Sequence, residues 1–468
     1  MALESWLIKV KTALSNGFDS VRSLPPNGKP LIIKKSNVGV LAFEIAALMS
    51  KLIHLWQCLS DKNVIRLKNE AICLEGVRKI VSNDDSFLLG LACAEMVDNL
   101  GLLARSASRF SSRCVDPSLS NFDRLFHLFA DMGLDPHNWV ILSAKETDAK
   151  VKKIDRLIAS TATLHKEMDM LTTLETALKK LIHSKDNDKS VKEQRIIDLK
   201  QRIIWQRQEI KLLKDKSLWN RSYDTVNSFL VRLIFTILSR IKNVFGVGVG
   251  HTLPPGSLHR SLSASATVYP SENQDNCNFV PGPLITMSPS YKIHDDRSPG
   301  FIEMNSKALR APSSTLGAAA LPLHYANLII VMEKMIKSPQ LVGMDARDDL
   351  YSMLPSSIRS SLRTRLKGVG FSASDPCLAG EWRDALGKIL GWLSPLAHNM
   401  IKWQSERSFE QQHMIQKTSV LLLQTLFFAN KDKTEAAITE LLVGLNYIWR
   451  FDREMNAKAL IECYKSIN

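Results

Sequence analysis

A heptad repeat in the middle of the chain constrains the fold more than any other feature of the sequence. Counted from Ile154 as position a, seven of the nine a and d positions up to Ile182 are apolar. The same register resumes after a polar break, SKDNDKS, and continues to Leu213. Sustained heptads of this kind predict a helix packed along a narrow seam on another helix. The predicted partner-binding seam consists of Ile154, Leu157, Leu164, Met168, Leu171 and Leu178.

Two structures fit this repeat: one long helix with a polar patch, or an antiparallel hairpin that turns near Asn187. The preserved register favours the single helix, whereas the cluster of Asp, Asn and Ser in the break favours the turn. We prefer the hairpin because adjacent helices joined by a short connection commonly pair with each other. Homodimerisation through the seam is the alternative.

The rest of the sequence also predicts helices. An apolar stripe runs at the 4,3,4,3,4 spacing of one helix face, and Asp135-Pro136 has the form of a helix start, with a cap followed by proline. No strand alternation of any length is present, so the predicted class is all-α. The stripe consists of Leu41, Ile45, Leu48, Leu52, Leu55 and Leu59.

Changes in composition divide the chain into six segments. The segment 246–312 is rich in Gly, Pro, Ser and Asn without periodicity, which predicts a disordered linker. The Gly246, Gly248, Gly250 run within it lacks the strand and helix that a dinucleotide fingerprint needs. The other predicted segments are a flexible N-terminus with a short amphipathic helix (1–36), an N-terminal helical domain (37–145), coiled-coil-like and basic amphipathic helices (146–245), a C-terminal helical bundle domain (313–455) and a tail (456–468).

Positive charge is concentrated in one region. The whole chain carries a formal charge of +14, and Lys145–Asn243 alone holds 22 basic and 13 acidic residues. This region ends in a basic amphipathic helix, 222–245, which fits either a membrane surface or a helix docked on the folded domains. We prefer the docked helix, since such helices are far commoner in globular proteins. Weak contact with anionic membranes is the alternative, and nucleic acid is not expected as a partner.

Targeting signals and disulfides are not expected. The seven cysteines are dispersed without any C-x-x-C, which indicates free thiols in a reducing compartment. The N-terminal stretch has no sustained apolar core typical of a signal peptide, and no apolar run is long enough to predict a transmembrane helix. The chain begins Met1-Ala2, whereas N-myristoylation requires glycine at the second position.

No residue pattern predicts a reaction centre. The histidines are isolated from metal-ligand spacing, and no nucleophile elbow, zinc-protease motif or phosphate-binding loop is present, so no catalytic residue, metal or cofactor is assigned. A candidate basic face consists of Arg359, Arg363 and Lys367, spaced four apart on one helix side. The candidate phosphorylation sites are Ser261, Ser263 and Ser298, which lie near basic residues or in R-S-P.

Four blocks of the sequence resemble a known plant family. They begin VGVLAFEIAALMSKLIHLWQ (38–61), TLGAAALPLHYANLIIVMEKM (315–367), EWRDALGKILGWLSPLAHNM (381–410) and LLLQTLFFANKDKTEAAI (421–454). Together they are similar to the phytosulfokine-simulator family, whose members carry a small N-terminal and a larger C-terminal domain of unknown function. Several members begin Met-Gly and have a longer N-terminal extension, so we expect a shorter branch here.

The resemblance implies a role in promoting plant growth, linked to phytosulfokine peptide-hormone signalling and to the nucleus. The family brings no catalytic residues. We therefore expect a non-enzymatic helical signalling or scaffold protein that acts through helical surfaces. The alternative is a peripheral membrane adaptor that binds anionic lipid through the basic 145–243 region. The expected location is the nucleus, with the cytoplasm or the plasma-membrane periphery as alternatives.

Overall fold

The fold is built from helices throughout the described part of the chain. The computed structural model describes residues 37–141, 143–183, 189–246, 300–338, 343–367, 373–407 and 420–467. Within these ranges no strand forms, and the β-type pairing consists of two isolated bridges, Asn37 with Ser222 and Thr315 with Asn430. The all-α prediction is confirmed.

The first nine α-helices belong to the described residues before 247. A 3₁₀ turn at Gly39–Leu41 precedes the first helix, and a π-helical turn at Leu67–Ala71 follows the second. Four residues of the predicted apolar stripe, Ile45, Leu48, Leu52 and Leu55, lie on the buried face of the first helix. The nine are α1 Ala42–Cys58, α2 Asp61–Arg66, α3 Glu75–Ile80, α4 Asp85–Ser111, α5 Pro117–Ser120, α6 Phe122–Met132, α7 Ala144–His183, α8 Lys189–Lys216 and α9 Tyr223–Phe245.

The helix α9 lies at the centre of the first hydrophobic core. Apolar residues are buried around most of its circumference, which a helix lying on a surface would not require. Phe235 is fully buried, with its ring centroid 4.9 Å from Phe129 and 5.0 Å from Trp139. Of the two predicted settings for the 222–245 helix, the structure shows the docked one.

The predicted helix start at Asp135-Pro136 is wrong. The Asp135 carboxylate accepts a hydrogen bond from the Val140 amide at 2.9 Å, which closes a turn. Asn138 has a φ of 50°, in the left-handed region that a continuing helix excludes. Trp139 inserts into the core instead, and α7 begins at Ala144.

The described residues on either side of the polar break form two helices that pair antiparallel, as the hairpin predicts, so the single long helix is wrong. The turn predicted near Asn187 lies outside the described residues. The helices α7 and α8 lie side by side, with the Arg207 guanidinium 2.8 Å from the Glu175 carboxylate. Gln206 is a polar exception at a d position in the second half of the repeat. Its amide donates to the Glu167 carbonyl at 3.1 Å and to the Glu167 carboxylate. The polar exception therefore faces the hairpin seam, where its amide is satisfied.

Five of the six remaining helices form a second core, whereas the first of the six packs against the first core. The fully buried Tyr325 anchors this core, and its hydroxyl donates to Glu435 at 2.7 Å. The last helix continues through the segment predicted as a tail, to Ile467. The six are α10 Phe301–Ala308, α11 Pro322–Lys337, α12 Met344–Met353, α13 Ser356–Leu366, α14 Pro376–Arg407 and α15 Lys431–Ile467.

Part of the predicted linker is folded. The helix α10 lies within 246–312, and its first amide, that of Phe301, donates to the Asp131 carboxylate at 2.7 Å. The side chains of Phe301 and Ile302 pack against the first core. The helix has only eight residues, too short a signal to stand out from the surrounding composition. Residues 247–299 lie outside the described residues.

The two cores are joined by direct contacts between distant parts of the sequence. Leu422, Leu423 and Phe428 belong to the first core, whereas Ile80 of α3 belongs to the second. The helix α3 also lies very close to α14. At Gly76, an added Cβ atom would overlap the carbonyl oxygen of Trp392. Glycine at this position permits the two helix backbones to approach each other.

Replacement of Gly76 by alanine is expected to lower the free energy of unfolding by about 1–3 kcal/mol, because the new methyl group overlaps the Trp392 backbone, which cannot move aside as the nearby Leu396 side chain can. The matched control is Gly90→Ala in α4, where the added methyl meets nothing within 4 Å. That variant should gain about 0.5–1 kcal/mol from helix propensity. Urea denaturation followed by circular dichroism measures both. If Gly76→Ala and Gly90→Ala changed the free energy of unfolding in the same direction, the result would contradict the close approach of α3 and α14.

Candidate interaction surface on a helical arm

The outer part of the α7–α8 hairpin forms an arm. Leu164 and Ile203 are buried at its base. Beyond them, no described residue of 165–183 or 190–202 is fully buried. The arm, defined as these two ranges, is thus a pair of helices supported mainly by each other, and most of its surface is available for contacts.

Most residues of the predicted partner-binding seam pack against other parts of the same chain. Ile154 is buried in the first core and Leu157 packs against it. Leu164 is fully buried with Ile210 and Leu213 of α8, and Met168 and Leu171 pack around this cluster. Leu178 is half-buried. The structure therefore divides the six residues: Ile154 and Leu157 pack on the first core, whereas Leu164, Met168 and Leu171 pack against α8 inside the hairpin.

Polar bonds and stacked rings fix the base of the arm. The Thr161 hydroxyl donates to the Leu157 carbonyl at 2.6 Å and accepts the Leu218 amide at 3.2 Å. The Trp219 ring lies 5.7 Å from Phe43 of α1, with the Lys214 ammonium 4.5 Å from its centroid. These contacts hold the end of α8 on α1 and so set the direction of the arm.

A second apolar face runs along α8, on the side opposite the seam. We define the outer stripe as this face. Its large apolar side chains are more than half exposed: Trp205 at 68%, Ile197 at 55%, Leu212 at 54% and Ile204 at 51%. The sequence interpretation missed this face, although its spacing is visible in the sequence. The stripe consists of Gln194, Ile197, Gln201, Ile204, Trp205, Gln208 and Leu212.

The helix that carries the outer stripe is strongly basic. Lys189–Lys216 contains nine basic and four acidic residues. At 100° per residue, Lys200 and Lys211 flank the stripe on one edge, and Arg195 and Arg202 flank it on the other. All four side chains are exposed. The surface is therefore an uncharged apolar strip with a basic edge at Lys200 and Lys211. On the Trp205 side, Asp198 and Glu209 lie nearest the strip, and the two arginines lie beyond them.

The predicted basic face lies at the corner between α12 and α13. The Arg359 side chain donates to the Leu354 carbonyl at 2.8 Å, and Arg363 donates to the Tyr351 hydroxyl at 3.0 Å. Lys367 follows the end of α13 and is exposed. Arg359 and Arg363 therefore form hydrogen bonds within the corner between α12 and α13. The candidate phosphorylation sites Ser261, Ser263 and Ser298 lie outside the described residues.

One cleft contains a thiol. It has a volume of about 220 Å³ and includes Cys58, Arg66, Met96 and Gln424 in its lining. Burial, with a smaller contribution from the carboxylate of Glu95, raises the pKa of the Cys58 thiol to about 11. The thiol is therefore protonated at neutral pH and is a poor nucleophile. Among the described residues, no three His, Cys, Asp or Glu side chains cluster as a metal site.

Two helices are long and apolar enough to span a membrane by length and composition. They cover Gly39–Cys58 and Asp85–Ser111, and 44% and 61% of their most apolar windows are buried inside the fold. Both contribute to the first core, and core helices of soluble proteins often pass the same test. Their apolar character is therefore explained by packing.

Two regions of the chain match families of unknown function. Residues 40–96 match the family described as a domain of unknown function, DUF3475, and residues 315–402 match the one described as a protein of unknown function, DUF668. The first region covers α1 to α3 and the first half of α4. The second covers α11 to α13 and most of α14. No solved structure is significantly similar to the chain.

Three curated proteins of Arabidopsis thaliana are similar to most of the chain. Protein PSK SIMULATOR 3 is 27% identical over 89% of the chain and 56% of its own length. Protein PSK SIMULATOR 1 is 26% identical over 93% of the chain and 58% of its own length. Protein PSK SIMULATOR 2 is 25% identical over 89% of the chain and 60% of its own length. The chain thus spans less than two thirds of the length of each of these relatives.

Proposed function

The chain belongs to the PSK simulator family, and on that premise we propose that it acts in phytosulfokine-related signalling as a non-enzymatic helical adaptor that promotes growth. Similarity over about nine tenths of the chain supports a shared role with these relatives. Because they are longer, the proposal concerns what the described helical residues of this chain contribute. Its expected location is the nucleus.

One observation carries the mechanism. The outer stripe is an exposed apolar strip on α8, a helix whose other face is already occupied by its hairpin partner. Exposed apolar faces rimmed by polar residues are typical of protein-binding sites. The cleft at Cys58 offers no activated nucleophile, and the described residues form no metal cluster. Binding through the outer stripe is therefore the mechanism that the geometry supports best.

Growth measurements test the proposal. In seedlings of the source plant that lack this chain, root elongation in response to added phytosulfokine peptide is expected to fall below that of unmodified seedlings. Expression of the chain should restore the response. A normal response in its absence, with related genes also removed, would contradict the proposed role. A fluorescent fusion in the restored seedlings reports whether the protein is nuclear.

A further inference from the structure

We infer that the outer stripe of α8 binds an acidic amphipathic α-helix of a partner protein. The inference deepens the proposed function, because it names the surface and the class of partner through which the adaptor would act. Its physical basis is independent of the hormone: the exposure, spacing and charge of one described helix.

The first step concerns exposure. From Ile197 to Leu212 the stripe covers four turns of helix, about 22 Å at 1.5 Å per residue. Its four large apolar side chains are each more than half exposed, and the side of α8 that faces α7 is already filled by Leu164, Ile210 and Leu213. A helix that is apolar on two opposite faces needs a second packing partner to remove the outer face from water.

The second step concerns the shape of the partner. Gln194, Ile197, Gln201, Ile204 and Gln208 follow a 3,4,3,4 spacing, which is the spacing of a helix-packing seam. Between two helices, the glutamine amides can bond across the interface. In the hydrocarbon of a membrane, the same amides would lose their water without gaining partners. The stripe therefore fits a helix better than a lipid surface.

The third step concerns charge. With nine basic residues against four acidic ones, α8 carries a net positive charge. Lys200 and Lys211 lie along one edge of the stripe, where glutamate or aspartate on a packed helix would face opposite charge. On the other edge, Arg195 and Arg202 lie beyond Asp198 and Glu209. A second copy of this chain would instead bring the same basic helix against itself. Charge complementarity therefore selects an acidic helix over self-association.

Two synthetic peptides of about four heptads test the inference against the full-length chain. Both carry the same leucine seam. One has glutamate at the flanking positions and the other has lysine. Fluorescence anisotropy is expected to show saturable binding of the glutamate peptide and at least tenfold weaker binding of the lysine peptide. The double variant Trp205→Gln with Leu212→Gln should weaken binding of the glutamate peptide by about thirtyfold or more, since two large side chains lose their burial.

The matched control is the double variant Leu460→Gln with Ile461→Gln, which removes two exposed apolar side chains from the end of α15. It should leave the affinity unchanged. Absence of glutamate-peptide binding, equal binding of both peptides, or equal losses in the two double variants would overturn the inference. A different occupant would also overturn the inference. It would be indicated if the glutamate peptide failed to bind and the chain instead floated with phosphatidylserine vesicles or formed a dimer on sizing, and if the Trp205 and Leu212 changes abolished that behaviour. Peptide binding and the growth response are separate measurements, so either proposal can fail alone.

Discussion

Replacement of Glu95 by alanine is expected to lower the free energy of unfolding by about 2–4 kcal/mol, because buried donors on two other segments lose their acceptor. Glu95 lies in α4 and is 5% exposed. Its carboxylate accepts the Leu422 amide at 2.6 Å, the Trp403 indole at 3.3 Å and the Arg407 guanidinium at 3.4 Å. One side chain thus connects α4 to the end of α14 and to the 3₁₀ turn at Leu422–Gln424.

The conservative variant Glu95→Gln should cost less, since it keeps a carbonyl oxygen for the Leu422 amide. Burial raises the pKa of Glu95 above its usual value, although the Leu422 amide and Arg407 oppose this shift. As the pH rises, the Glu95 carboxyl therefore ionises at a lower pH in the unfolded chain than in the folded protein. The contribution of Glu95 to stability is fully present below the unfolded pKa and declines as the pH rises through the folded pKa. This decline should be absent in Glu95→Gln. Urea denaturation at several pH values measures both effects.

The control for Glu95 is Glu44→Ala. The Glu44 carboxylate forms an exposed pair with Arg109 at 3.5 Å. Exposed pairs of this kind contribute up to about 1 kcal/mol, so this variant should unfold almost as the unchanged chain does. If the two alanine variants had similar stability, the connection through Glu95 would not hold the two cores together.

The variant Phe235→Ala is expected to cost about 3–5 kcal/mol, the usual range for removing a fully buried phenylalanine. Its ring contacts aromatic rings of α6 and of the loop that precedes α7, including Phe129 at 4.9 Å and Trp139 at 5.0 Å. The prediction also distinguishes a position of α9 in the protein core from one on a membrane surface. A helix that lay on a membrane would tolerate this change in solution, whereas a core helix would not.

The matched variant is Phe229→Ala in the same helix. Phe229 is only partly buried, at the edge of the first core. Truncation there should cost clearly less than at Phe235, because fewer contacts are lost. Thermal unfolding of the two variants in the same buffer provides the comparison. Equal and small losses would mean that α9 is not packed in the core as described.

Local periodicity explains why much of the fold could be predicted from the sequence. The 154–213 heptads give the hairpin its seam, since a repeat of 3.5 residues fixes which side of each helix is apolar. The stripe from Leu41 to Leu59 is likewise a local signal. The predicted helix start at Pro136 is wrong because Asn138 adopts a left-handed conformation. The hydrogen bond from the Val140 amide to the Asp135 carboxylate closes the turn around it.

Long-range contacts explain what the sequence could not provide. Glu95 stands out as a carboxylate within an apolar helix, but its partners lie more than 300 positions away in the sequence. The helix α10 is held by Asp131, and no local pattern points to that contact. The outer stripe is different. Its 3,4,3,4 spacing was present in the sequence, and only the structure shows that the opposite face of α8 is already occupied.

The most direct test of the account is root elongation in response to phytosulfokine in seedlings whose own copy is replaced by the Trp205→Gln, Leu212→Gln variant. Both side chains are exposed, so the protein should accumulate normally. We expect the hormone response to fall to the level of seedlings lacking the chain, and to remain normal with Leu460→Gln, Ile461→Gln. A full response with the Trp205 and Leu212 variant would contradict the claim that the adaptor acts through the outer stripe.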